Sequence, residues 1–255
     1  MDFISSFHYV LPTSCRTLSN LHFMNIIITG ATKGIGFAIA QKFASKGYGI
    51  IACARNQKDL DKLAKNLHGL YKAKVITKAA DMSVKEEAQQ FGNWIIDQGF
   101  TPDIVINNAG NFLPGSIHNE ENETLEKMIA VNLYSAYHFT RMLFPVMMKA
   151  KHGHIFNVCS IASLNAYANG GSYSISKFAL LGFSKNLREE MKPYGIKVTA
   201  VCPGATMSDS WSGSNIDPNR IMEAKDIAEM IFAASKLSPM AVVEDIVLRP
   251  QLGDL

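Results

Sequence analysis

The stretch TGATKGIG, Thr29 to Gly36, decides the reading of this chain. It follows the β-branched run NIIIT (Asn25–Thr29) and opens IGFAIAQKFASKG, whose apolar residues Ile35, Ala38, Ile39 and Phe43 recur at a helical period before Gly47. A strand feeding a helix through a glycine-rich turn is the first half of a βαβ unit. Glycine lets the backbone approach a pyrophosphate closely, and the helix N-terminus supplies N–H groups and partial positive charge. Gly30, Thr32, Lys33, Gly34, Ile35 and Gly36 are therefore candidate cofactor-binding residues. The glycine spacing is G-x-x-x-G-x-G, not G-x-G-x-x-G. The alternative for the turn taken alone is a tight strand-to-helix connection without a ligand.

The same alternation continues outward. Short apolar strands are expected at GIIACA, AKVITKAAD, DIVINNAG, GHIFNVCS, IKVTAVCPG and AVVEDIVL. Between them lie helical stripes: Leu60, Leu63, Ala64 and Leu67 in one, and Phe91, Trp94 and Ile95 in the next, the latter preceded by a capping box over Ser83 to Glu86. A long helix is expected from about 121 to 149, another from 171 to 191, and a last one from about 225 to 235. Strands alternating with helices imply a parallel sheet covered on both faces. The expected fold is α/β: a single-domain, doubly wound parallel sheet of about seven strands, over residues 24–255. Residues 1–23 read as an extension outside it, since they lack the basic start and continuous apolar core of a secretory signal and carry only Arg16 where a transit peptide is Arg-rich.

Composition agrees with one domain and narrows the partners. The chain has 255 residues, 47% hydrophobic and 18% charged, with a net charge of +3. No basic cluster interleaved with aromatics points to nucleic acid, and no apolar run approaches the roughly 18 residues of a membrane span. The four cysteines form no C-x-x-C pair, and Cys53, Cys159 and Cys202 fall in or beside buried strands. They read as reduced thiols in a reducing compartment, the cytoplasm.

The end of the second strand bears on which dinucleotide would fit. An NAD site commonly places an acid there for the ribose 2′-hydroxyl. Here Ala54 is followed by Arg55, and Lys33 in the glycine turn adds a second cation with no competing acid. Two cations converging on the adenosine ribose suit a 2′-phosphate and favour NADP(H). Asp81, with Met82 beside it, follows the third strand and is placed to meet the adenine. NNAG (Asn107–Gly110) would form the turn under the adenosine half, which adds Asn107, Ala109 and Gly110 to the candidates.

YSISK, Tyr173 to Lys177, puts a phenol and an ammonium on one face of a helix. A neighbouring cation favours phenolate and brings the pKa down from about 10 toward neutrality. The pair reads as a proton donor and acceptor, or, as a bare match, as a packed Tyr beside a solvated Lys.

Thr29-Gly30-x-x-x-Gly34-Ile35-Gly36, Asp81, Asn107-Asn108-Ala109-Gly110, Asn132, Ser160, Tyr173-x-x-x-Lys177 and Pro203-Gly204 occur in one order. Together they resemble the short-chain dehydrogenase/reductase family over nearly the whole chain from Met24. The resemblance implies that Tyr173 is the general acid of carbonyl reduction and that Lys177 binds the nicotinamide ribose and lowers the Tyr173 pKa. It implies that Ser160 hydrogen-bonds the substrate oxygen and that Asn132 holds a proton-relaying water. Pro203 and Gly204 would line the nicotinamide, and Ser208 stands where many relatives have a phosphate-contacting Thr. The tail VLRPQLGDL resembles bacterial carbonyl reductases and sepiapterin-reductase relatives more than the 3-oxoacyl-carrier-protein reductases. The implied activity is carbonyl reduction with NADP(H) on a small-molecule carbonyl or alcohol. The alternatives are a 3-oxoacyl-carrier-protein reductase, with Arg141, Lys149 and Lys151 as a carrier-docking patch, and an NADP(H)-sensing regulator without turnover. The segment 205–222, with Met207 and Trp211, reads as the substrate-side loop. The family's helix pairing implies a homodimer or homotetramer through the helices carrying Asn132 and Tyr173.

Overall fold

The computed structural model describes residues 24–207 and 217–253. Seven strands form one parallel sheet: β1 (Asn25–Thr29), β2 (Gly49–Ala54), β3 (Val75–Ala79), β4 (Ile104–Asn107), β5 (His154–Val158), β6 (Lys197–Pro203) and β7 (Asp245–Leu248). Their order is β3-β2-β1-β4-β5-β6-β7. The winding reverses between β1 and β4, and a crevice opens there at the strands' C-terminal ends, where open α/β sheets bind ligands.

Alternation along β1 explains the two cores. Ile26 and Ile28 face one side of the sheet, where they meet Ile39 and Phe43 of α1 (Gly34–Ala44), Leu60 and Leu63 of α2 (Gln57–Tyr71) and Ile231 of α7 (Ala224–Ser235). Ile27 faces the other side, against Phe91 of α3 (Lys85–Asp97), Phe139 of α5 (Ser135–Ala150) and Leu187 of α6 (Gly171–Met191). All three isoleucines are fully buried, as expected for strands covered on both faces.

Three local expectations change. The long helix begins as α4 (Thr124–Ile129), passes through a π-helical turn at Ala130–Tyr134, and continues as α5. The turn carries Asn132, and one extra residue per turn re-aims the side chains there. The capping box is also absent. Val84 caps α3 with no side-chain bond, because the Ser83 hydroxyl donates instead to Asp81 Oδ1 at 2.7 Å. The last strand is shorter than the apolar run that announced it: β7 starts at Asp245.

Candidate active site

The glycine turn is tied to the loop after β4 before any ligand is considered. Thr29 Oγ1 accepts the backbone N–H groups of Asn108 at 3.1 Å and Ala109 at 3.0 Å. The Asn108 amide returns two bonds of 3.0 Å, to the Thr29 and Gly30 carbonyls. Gly30 has φ +66°, and a Cβ on Gly36 would lie 2.3 Å from the Gly30 carbonyl oxygen. Glycine at 36 thus lets α1 close down on the turn. No acid occupies the first turn of α1, so its N–H groups and dipole remain attractive to an anion.

A crevice of about 1170 Å³ runs from this turn across the strand ends. It collects most of the residues singled out by sequence. At one end it is lined by Gly30, Thr32, Lys33, Gly34 and Ile35, with Arg55 after β2 and Asp81 and Met82 after β3. Ala109 and Gly110 form the middle. Ser160, Tyr173, Lys177, Pro203 and Gly204 line the other end.

Three candidates lie elsewhere, for physical reasons. Gly36 is behind the turn, packed on Gly30. Asn107 is in β4, and its buried amide donates to Thr140 Oγ1 at 2.9 Å and Asn157 Oδ1 at 2.7 Å, bracing the sheet beneath the crevice. Asn132 is also buried behind the crevice wall. Its Oδ1 accepts the Asn111 N–H at 2.9 Å, and its Nδ2 donates to the Asn111 carbonyl at 3.0 Å and to Ser176 Oγ at 2.9 Å. Its side chain clamps the post-β4 loop to α6, so the side chain is not what would hold a water. Ser208 and Trp211 lie outside the described residues.

Lys177 and Asn132 meet across Gly110: a Cβ there would lie 2.9 Å from Asn132 Oδ1 and 3.5 Å from Lys177 Nζ. Lys177 is buried, and its Nζ donates to the Val158 carbonyl at 2.9 Å. Burial lowers its pKa. Ser160 sits just past β5, where its Oγ accepts the Ala162 N–H at 3.1 Å, near enough to Tyr173 to act on its hydroxyl. The Tyr173 ring is partly exposed to the crevice while its hydroxyl end is deep. Burial pushes this phenol up to about 12, against the smaller lowering from Ser160. This reverses the electrostatic expectation from YSISK. Nζ is turned toward Val158 and stands 5.9 Å from the Tyr173 ring centre, and desolvation wins.

Several lining residues went unread in the sequence. Phe112 meets the Tyr173 ring edge-on at 4.9 Å, and Tyr167 approaches Tyr173 from the loop before α6. Arg249, one residue beyond β7, also lines the crevice. Asp59 corrects the statement that no acid competes with Arg55: it lines the same end from the first turn of α2, with its carboxylate 3.2 Å from Lys62 Nζ. Only three-dimensional packing brings these side chains in. For Asp59, the first turn of a helix following the strand was the available signal. Arg141, Lys149 and Lys151 do not line the crevice. Lys149 is in the last turn of α5 and Lys151 just past it, before β5 begins, at the strands' N-terminal ends and so opposite the crevice.

A glycine turn on a helix N-terminus and a Ser–Tyr pair with a buried Lys, set at the reversal point of a parallel sheet, define a nicotinamide-dependent oxidoreductase site. The short chain dehydrogenase family model matches residues 24–219. Among curated proteins, the chain is 29% identical over 238 residues to a sepiapterin reductase of Chlorobaculum tepidum, covering 90% of this chain and 97% of that one. It is 31% identical over 220 residues to a 3-oxoacyl-[acyl-carrier-protein] reductase of Haemophilus influenzae, covering 82% and 89%. Among solved structures, an alcohol dehydrogenase from the archaeon Thermococcus sibiricus, complexed with 5-hydroxy-NADP, superposes with a TM-score of 0.84 at 25% identity, over 90% of this chain and 97% of that one. The chain belongs to the short-chain dehydrogenase family, oxidoreductases that act on CH–OH and C=O groups.

Proposed function

We propose that this protein is an NADP(H)-dependent reductase of ketones or aldehydes. The carrying observation is that Ser160, Tyr173 and Lys177 line one end of the crevice together, with the phenol held in its protonated form by burial. The chain's own residues fit the dinucleotide. The Gly30–Ile35 turn and the acid-free start of α1 suit the pyrophosphate. Exposed Lys33 and Arg55 at one end suit a 2′-phosphate. Asp81 and Met82 suit the adenine, and Pro203 and Gly204 the nicotinamide. When bound, the nicotinamide supplies the hydride.

Tyr173 gives its hydroxyl proton to the substrate oxygen, and Ser160 donates a hydrogen bond to that oxygen as negative charge builds. Lys177 holds positive charge behind the phenol and faces the nicotinamide ribose. Asn132 holds the Gly110–Asn111 segment against α6, which fixes the distance between the cofactor shelf and the proton donor. Phe112, Leu113, Ile161 and Tyr167 give the substrate end an apolar, aromatic wall, suited to a small apolar carbonyl compound. The carrier-protein reading loses support, because Arg141, Lys149 and Lys151 lie away from the crevice.

We further propose a homodimer or homotetramer. Tyr134 and Tyr137, at the start of α5, and Ile175 and Phe178 of α6 are all exposed, with Tyr134 at 49% and Phe178 at 45%. That is a contiguous apolar face which a second copy would cover. The free buried Cys53, Cys159 and Cys202 support the cytoplasm as its compartment.

The test is a panel of aldehydes, ketones, diketones and acetoacetyl thioesters, each followed by loss of NADPH absorbance. Turnover of simple carbonyls is expected. Reduction of the thioesters alone would favour the 3-oxoacyl activity, and no turnover anywhere with tight NADPH binding would favour a cofactor sensor. Light scattering that returns a stable monomer at micromolar concentration would overturn the assembly.

A further inference from the structure

Three cysteines are described, and their settings differ sharply. Cys53 is sealed in β2. Its thiol donates to the Ala80 carbonyl at 3.6 Å, and burial pushes its pKa up to about 12. That is an inert structural thiol. Cys159 and Cys202 are arranged otherwise. The parallel register of β5 and β6 pairs Val158 with Val201, so the next step sets Cys159 beside Cys202. Residues paired this way point to the same face, and both sulfurs fall in one small buried cluster with Ala136, Leu180 and Ala200. The Cys159 thiol also lies 4.0 Å from Ser184 Oγ. Neighbouring strands lie about 4.8 Å apart, inside the roughly 4.4–6.8 Å Cα separation that a disulfide spans. Cys159 is just past the end of β5, where its N–H already turns back to the Asn157 carbonyl at 3.0 Å, so it is less restrained than a residue inside the ladder.

Access is the second observation. Cys159 is almost fully buried, yet it lines the crevice between Val158 and Ser160. A peroxide-sized molecule entering the substrate end would meet it. The neighbouring Cys202 thiol and then the Lys177 charge lower the pKa of Cys159, while that of Cys202 is raised. Cys159 is the more acidic of the two and the one that lines the crevice.

We propose that Cys159 and Cys202 are an oxidisable dithiol, closed into a disulfide by hydrogen peroxide or an organic hydroperoxide, and that closure stops catalysis. In the first step Cys159 sulfur attacks a peroxide oxygen and the O–O bond breaks. Cys159 becomes a sulfenic acid, and water, or an alcohol from a hydroperoxide, leaves with the thiol proton. In the second step Cys202 sulfur attacks the sulfenic sulfur, the S–O bond breaks, and water leaves with the second thiol proton. Two thiols are oxidised by two electrons and one peroxide is reduced. The consequence for the site follows from adjacency, and this part rests on the reductase reading. Cys159 lies between Val158, whose carbonyl holds Lys177, and Ser160, which lines the crevice beside Tyr173. Cys202 precedes Pro203-Gly204. Drawing the sulfurs to bonding distance shifts both segments, and a displacement of 1 Å at a reacting centre costs on the order of a hundredfold in rate.

The reduced full-length protein is treated with hydrogen peroxide, with and without saturating NADP+, then alkylated and mapped by mass spectrometry. The expected result is a cross-linked Cys159–Cys202 peptide, slowed by NADP+, with carbonyl reduction down about a hundredfold and restored by dithiothreitol. Cys53→Ala should respond like the wild type. Cys202→Ala should form no internal cross-link, and its Cys159 should run on to sulfinic acid that dithiothreitol does not reverse. Both thiols fully alkylated after peroxide would overturn the proposal, as would a cross-linked protein with unchanged turnover. Failure of the reductase reading is seen separately: the cross-link is scored by mass, and a protein that reduces no carbonyl before oxidation sinks that reading alone.

Discussion

The two ends of the crevice are built on different principles. The adenosine end, over β1, β2 and β3, is backbone and exposed charge: a glycine turn, a bare helix N-terminus, and Lys33 and Arg55 reaching from the surface. The nicotinamide end, over β4, β5 and β6, rests on buried polar side chains bonded to each other. Asn107 reaches Thr140 and Asn157, Asn157 reaches Ser184, and Asn132 reaches Asn111 and Ser176. Recognition of a phosphate tolerates mobile cations, because the charge interaction is long-ranged and forgiving. Proton transfer does not, because it needs atoms within hydrogen-bond reach. The fold spends its buried polar groups where placement matters.

The contrast predicts effects of unequal size. At the nicotinamide end, Tyr173→Phe removes the transferable proton and keeps the ring against Phe112. Turnover should fall by roughly 10²–10⁴, while NADPH titration returns wild-type affinity because the glycine turn and Lys177 are untouched. A Phe variant with wild-type turnover would end the catalytic assignment. At the adenosine end, Arg55→Asp should erase or reverse a preference for NADPH over NADH. One charge-assisted phosphate contact is worth roughly 1.5–3 kcal/mol, or about ten- to a hundredfold. Equal affinities for the two dinucleotides in the wild type would overturn the assignment of Arg55 to the 2′-phosphate.

The same contrast explains what could be read from the chain alone. The strands and the main helices followed from alternation, and the all-apolar run Ile26, Ile27, Ile28 suits a strand covered on both sides. Gly30, Arg55 and Asp81 were legible because a turn or strand end places them by its own local geometry. Asn107 was misplaced because its motif gives its neighbourhood and not its side-chain direction: at the last position of β4 it points into the packing below the crevice, and Asn108 takes the lacing role above. Asn132 was found, but the π-helical turn that aims it inward has no signature in AVNLY. Phe112, Tyr167 and Arg249 come from separate loops, and no spacing rule links them.

The buried network should also show in stability. Asn157 is fully buried, accepting from Asn107 and donating to Ser184. Asn157→Ala leaves partners with fewer bonds in a place water does not reach, at a cost of about 1–3 kcal/mol. A denaturant midpoint lowered by that free energy divided by an unchanged slope would fit. An unshifted midpoint would mean that the network orders the site without stabilising the fold.

The smallest expected effect discriminates best between the two accounts of Tyr173. A phenol pulled toward neutrality by Lys177 would lose its proton as pH rises, and reduction, which consumes that proton, would fall on the alkaline side. With a pKa of about 7 only about 1% would stay protonated at pH 9. The structure places this phenol at about 12, through burial of its hydroxyl, with Lys177 engaged by the Val158 carbonyl. The sign is then fixed: the donor form persists below about 12, and Tyr173 gives reduction no alkaline limb through pH 9 to 10. A flat kcat/KM profile for a neutral ketone over that range is the expected result. A limb near neutrality that moves to higher pH in Lys177→Met would mean that Lys177 leaves Val158 when the dinucleotide arrives and turns its charge on the phenol. Cofactor binding along the crevice would then be what arms the proton donor.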